Sequence, residues 1–143
     1  MAATAIAYWL GITDQQLESQ PPFYNSGYSW AEWLAALQEE PSATQSLTSL
    51  GAGALLTAMT DGMSDEEVLW VAPRELRAAT ERLRSAIEDN HPDTQPILDL
   101  YRRHRTEARS VVEEFLAVLT ELEDLILWAE GEGAMRMTIE VNW

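Results

Sequence analysis

The stretch that most constrains this chain is "GEGAMRMTIEVNW", residues 131–143, which alternates strictly from Met135 onward. Met135, Met137, Ile139, Val141 and Trp143 fall on one side; Arg136, Thr138, Glu140 and Asn142 fall on the other. A period of two marks a half-buried strand, and a strand needs neighbours to satisfy its backbone donors and acceptors. A chain that otherwise reads as helices must therefore fold distant segments into a sheet. The expected arrangement turns the five apolar residues toward the helices and Arg136, Thr138 and Glu140 outward. A slip of one residue would expose all five apolar side chains, so the alternation fixes the register.

Two segments offer themselves as partners. Residues 3–12, "ATAIAYWLGI", put Ile6, Tyr8, Leu10 and Ile12 on one side and alanines with Trp9 on the other. A strand apolar on both faces predicts a central, covered position. The second partner is the short β-rich run "EVLWVA", containing Val68, Leu69, Trp70 and Val71.

Between these strands the pattern is helical. "TDQQLES" opens a short helix with Thr13 or Asp14 as N-cap, and "QPPFYNSGYS" is a loop by its prolines and glycine. Ser29-Trp30-Ala31-Glu32 and Ser42-Ala43-Thr44-Gln45 both have capping-box spacing. The first opens a helix to about Gln38. The second opens "TQSLTSLGAGALLTAM", with Leu47, Leu50, Leu55 and Met59 inward and a break expected at Gly51 and Gly53. "TDGMSDEE" reads as a turn. Pro73 then suits a first helical position, and "PRELRAATERLRSAIED" carries Leu76, Ala79 or Thr80, Leu83 and Ile87 at spacings of three and four. A last helical region runs from about Thr94 to Glu130. As one rod it would be ~54 Å long from the 1.5 Å rise, so a bend or interruption is expected in the polar "RRHRTEAR". Gly131 or Gly133 supplies the left-handed C-cap before the final strand. The fold class expected is α+β: predominantly helical, packed on a small, mostly antiparallel sheet that includes the N- and C-terminal strands, in one domain over residues 1–143.

Composition narrows the function classes. The 143 residues hold no cysteine, which removes disulfides, thiolate metal sites and cysteine nucleophiles. All nine basic residues are arginine, so lysine chemistry is absent too. The net charge is −15, and residues 1–73 carry nine acids and no base. So acidic a chain repels a phosphate backbone, and no nucleic-acid partner is expected. No run reaches the ~20 apolar residues of a membrane span, and the start lacks a basic signal-peptide region. A cytoplasmic, bacterial protein is the expectation.

The segments "AIAYWLGITDQQLES", "VAPRELRAATERL" and "FLAVLTELEDLILWAEGEGAMRMTIEV" resemble the YfbM-like family of small uncharacterised bacterial proteins. They cover about two fifths of the chain. The middle departs from the family, because "YSWAEWLAAL" is only a loose echo of its aspartate–lysine–tryptophan segment. The resemblance implies an α+β fold and a cytosolic setting. It implies no activity.

Candidate sites follow from residue type. Seven of twelve aromatics precede position 34. Phe23, Tyr24, Tyr28 and Trp30 lie in or beside the proline-rich loop, where stiff aromatic area suits a protein partner; the alternative is a satellite cluster pinning the loop. Asp61, Asp65 and Glu66 in the acidic turn are candidate calcium ligands, although the EF-hand register fails at Gly62 and Met63. The alternative is a capping box at Ser64–Glu67. His91, among carboxylates, is a candidate base or ligand without a second histidine at ligand spacing; His104 in "RRHR" reads as solvated. The arginine band at 74, 77, 82, 84, 102, 103, 105 and 109 either binds an anion or pairs with the acid-only segments on both sides. No constellation of nucleophile, base and orienter is recognisable, and no cofactor is expected. The function expected is a non-enzymatic protein–protein interaction module, of the immunity or inhibitor type, with a homodimer as a further possibility. The alternative is a calcium or small-ligand binding protein.

Overall fold

A computed structural model describes residues 4–21, 37, 40–61, 69–103 and 110–142. Within them, β1 (Thr4–Leu10) leads to a short helix α1 (Asp14–Leu17), then α2 (Pro41–Ser49), α3 (Ala54–Thr57) and β2 (Met59–Asp61). Helices α4 (Pro73–Glu88), α5 (Gln95–Arg103) and α6 (Val111–Gly131) follow, and β3 (Arg136–Asn142) completes the order. The result is the expected mostly helical α+β fold on a small sheet.

The sheet runs β1-β3-β2, with β3 in the middle. β1 pairs antiparallel with β3 along its whole length, from Thr4 opposite Asn142 to Leu10 opposite Arg136. On the other edge of β3, β2 lies parallel, with Met59 opposite Ile139. Val71 forms an isolated antiparallel bridge there, exchanging hydrogen bonds of 2.9 and 2.7 Å with Met137. Of the run "EVLWVA", Val71 alone joins the sheet among the described residues; Leu69 and Trp70 are exposed, and Val68 lies outside those residues.

Three expectations about the strands are corrected. β1 is at the sheet's edge, not its centre, because β3 takes the position with partners on both sides. Met135 is 66% exposed, since β3 begins only at Arg136 and Met135 belongs to the turn before it. Thr138 is buried rather than outward, and its hydroxyl donates to the Ala58 carbonyl at 3.0 Å. Met137 and Ile139 are buried and Arg136 is exposed, as the alternation requires. Glu140 is half-buried. The side chain of Val141 and all of Trp143 lie outside what is described.

The helices show why this sequence folds as it does. In α4, Leu76, Ala79, Thr80, Leu83 and Ile87 form one buried stripe, matching the 3.6-residue period. It packs against α6, whose Phe115, Leu119, Leu122, Leu125, Ile126 and Ala129 are buried. Each such large apolar side chain contributes about 1.5–3 kcal/mol on burial. Tyr101 of α5 meets Phe115 edge-on, at 5.2 Å between ring centres, and closes the core toward α2. Pro73 occupies the first turn of α4 as expected. Ser110 leaves the helical conformation and caps α6, so α5 and α6 are separate elements. At the far end of α6, Gly133 (φ +81°) supplies the left-handed residue.

The α2 region differs from expectation at both ends. α2 starts at Pro41 with Glu40 at the cap, and the Ser42 hydroxyl donates to Glu40 Oε1 at 3.0 Å instead of capping the helix. Proline's fixed φ suits the first helical position, which moves the start ahead of the serine. The chain breaks after Ser49, as expected, at Gly51 (φ +77°), where a Cβ would also come within 3.1 Å of the Arg82 side chain. Residues 59–61 form β2 in place of a helix end and turn.

Candidate functional site

The two edges of the sheet differ in what they leave open. β3 directs the backbone groups of Met137, and the N–H of Ile139, toward Val71 and Ala58. Its alternate residues therefore bond β1 through Thr4, Ile6, Tyr8 and Leu10, by the alternation of an antiparallel ladder. The N–H and C=O groups of Ala5, Ala7 and Trp9 point to the other edge, and no described segment pairs with it. Above this edge Ile6, Tyr8 and Leu10 form a row exposed at 44%, 42% and 42%. β1 contains no charged residue and no proline, the usual devices that protect an edge from pairing.

A clasp holds β1 in place without covering that row. Trp9, on the inner face, packs edge-on against Trp128 of α6 at 5.4 Å, and its Nε1 donates to Gln20 Oε1 at 3.2 Å. Trp128 Nε1 donates to Ser19 Oγ at 3.0 Å. Thr13, one of the two N-caps expected for α1, forms a capping box with Gln16, and Gln16 Nε2 also donates to the Glu132 carbonyl at 2.8 Å. The segment after β1 is thus tied to the end of α6 by polar groups that have found partners.

The residues predicted as sites fall in several places. Phe23, Tyr24, Tyr28 and Trp30 lie outside the described residues, as do Asp65, Glu66 and His104. Asp61 sits in β2, and no group of three or more metal-ligating side chains occurs among the described residues. His91 caps the 3-10 turn Pro92–Thr94: its Nδ1 accepts from the Asp93 N–H at 3.0 Å, and its carbonyl accepts from the buried Thr94 hydroxyl at 2.6 Å. That geometry assigns it a structural task. The arginine band pairs with acids on both sides, as one of its two readings expects. Arg77 meets Glu130 at 3.1 Å, Arg84 meets Glu123 at 2.8 Å and Arg103 meets Glu40 at 3.5 Å. Arg105 and Arg109 lie outside the described residues.

The exposed row on β1 is present in the sequence as a period of two, but its exposure is not. One signal was available: residues 1–13 contain no charged side chain, in a chain of net charge −15. Among the described residues no helix is long and apolar enough to cross a membrane. No family model, curated protein or solved structure matches the chain. The likeness to YfbM-like proteins rests on the quoted segments alone.

Proposed function

We propose that this chain is a non-enzymatic interaction module that takes an extended segment of a basic partner protein onto the free edge of β1. The observation that carries this reading is the edge itself: backbone groups of Ala5, Ala7 and Trp9 with which no described segment pairs, beneath the exposed row Ile6, Tyr8 and Leu10. Strand addition draws affinity from main-chain hydrogen bonds and selectivity from alternate side chains, and this edge offers both. Nine acids and no base in residues 1–73 favour a basic partner through long-range attraction. An immunity- or inhibitor-like role in the cytosol, where a cysteine-free chain is at home, is the setting in which such a module would act.

Amide hydrogen exchange tests the reading. In the isolated protein the amides of Ala7 and Trp9 should exchange quickly and those of Ile6 and Tyr8 slowly. A partner should protect Ala7 and Trp9, and Ala7→Pro, which removes one edge donor at a position that tolerates proline, should abolish the protection of Trp9. Slow exchange at Ala7 and Trp9 in the monomer would overturn the proposal. Protection that rises with protein concentration, together with a doubled mass, would name a second copy instead of a basic partner.

A further inference from the structure

Seven arginines fall within the described residues. Five are engaged: Arg77, Arg84, Arg102 and Arg103 with carboxylates, and Arg82 with the Gly51 carbonyl. The guanidinium groups of Arg74 and Arg136 have neither an ion pair nor a hydrogen bond among the described residues. These two are not scattered. Both line one cleft of about 550 Å³ where the first turn of α4, the end of α6 and the start of β3 meet, together with Ala72, Pro73, Glu130 and Met135. In a chain with 24 acids, two cations left uncompensated at one concavity make a local reversal of sign.

The groups in the cleft select a ligand chemistry. A guanidinium presents a planar fork of donors matched to a carboxylate. The first turn of α4 adds one more donor. The N–H groups of Glu75 and Leu76 already bond the Ala72 carbonyl at 3.0 and 3.3 Å, whereas the Arg74 N–H precedes any intrahelical acceptor. Glu130 adds an acceptor in Oε2, which Arg77 meets at 3.1 Å; its Oε1 is buried and has no hydrogen-bond partner among the described residues. A monoanion with an N–H beside it meets both signs, while Ala72, Pro73 and Met135 give an apolar wall.

We propose that this cleft binds an α-carboxylate with an N–H on the same carbon and an apolar side chain. A free amino acid and the C-terminal residue of a peptide both have this chemistry. The test is titration of the intact protein, followed by the NMR signals of the Arg74 amide and of the Arg74 and Arg136 Nε–H groups. Four probes are compared at constant ionic strength: N-acetyl-leucine, leucine, N-acetyl-leucinamide and sodium acetate. N-acetyl-leucine or leucine should give saturable shifts, and the tighter of the two names the source. N-acetyl-leucinamide, which lacks the carboxylate, should give none. Arg74→Gln and Arg136→Gln should each weaken binding about tenfold or more, the usual effect of losing a hydrogen bond to a charged group. Their melting midpoints should stay unchanged. Arg102→Gln, on an exposed arginine paired with Asp99, should leave affinity as it was. Shifts that remain linear with concentration, equal shifts with acetate, or equal losses in all three variants would overturn the proposal in favour of general electrostatic screening.

Discussion

β1 and β3 are both seven-residue strands rich in apolar side chains, and they pair with each other from end to end. Yet Met137 and Ile139 of β3 are almost fully buried, whereas Ile6, Tyr8 and Leu10 of β1 stand more than a third exposed. Part of the difference is the face: Ile6, Tyr8 and Leu10 lie opposite Glu140, Thr138 and Arg136, on the side of the sheet away from Met137 and Ile139; part lies in what flanks each strand. β3 has β1 on one side and Val71, Ala58 and β2 on the other. β1 has β3 and, among the described residues, nothing beyond it. On the face they share, Ala7 and Trp9 of the edge strand stay half-buried while Ile139 and Met137 of the central strand are buried.

That contrast can be broken by mutation, and the largest effect should come from removing residues 139–143. This takes away Ile139, its 2.7 Å hydrogen bond to Ala58 and the alignment with β2. The truncated chain should fail to melt cooperatively, and an unchanged midpoint would show that β3 is not the keystone of the sheet. Met137→Ala should cost about 2–5 kcal/mol by denaturant titration, as large-to-small changes in a packed core do. Arg84→Met should cost less, roughly 1–3 kcal/mol, by removing charge-assisted bonds to Glu123 and the Leu116 carbonyl that tie α4 to α6. Thr138→Val tests the buried hydroxyl. Ala58 keeps the Ile139 N–H, so the loss should be about 1 kcal/mol. Smallest of all, Ile6→Thr should change stability by less than about 0.5 kcal/mol, as surface substitutions usually do. A loss comparable to that of Met137→Ala would mean that the β1 row is structural cover and not an open surface.

Legibility in the sequence followed the local or long-range origin of each feature. α4 can be read because its stripe, its proline start and its length all lie within sixteen residues. The break near Gly51, the non-helical cap at Ser110 and the glycine turn after α6 are local for the same reason. β2 could not be read, because "MTD" has no pattern of its own and becomes a strand only by lying against residues 139–141. The burial of Thr138 escaped likewise: a threonine on the polar side of an alternation looks outward until a carbonyl eighty residues away accepts its hydroxyl. At the candidate sites, arginine pairing could be expected from charge segregation. Which two arginines would be left over, and that they would share one cleft, depended on tertiary placement.

The parallel alignment of β2 with β3 also governs the order of assembly. Two parallel strands cannot be joined by a tight turn, and here the connection between them contains α4, α5 and α6. The other neighbour, β1, lies still further away along the chain. The helices can form and dock through contacts close in sequence, but every sheet contact must wait for a long loop to close, which slows folding. During synthesis the helical layer should therefore be complete while β1 and β2 still lack their shared neighbour. The sheet then appears in one step, when the chain from Arg136 to Asn142 emerges and slides between them.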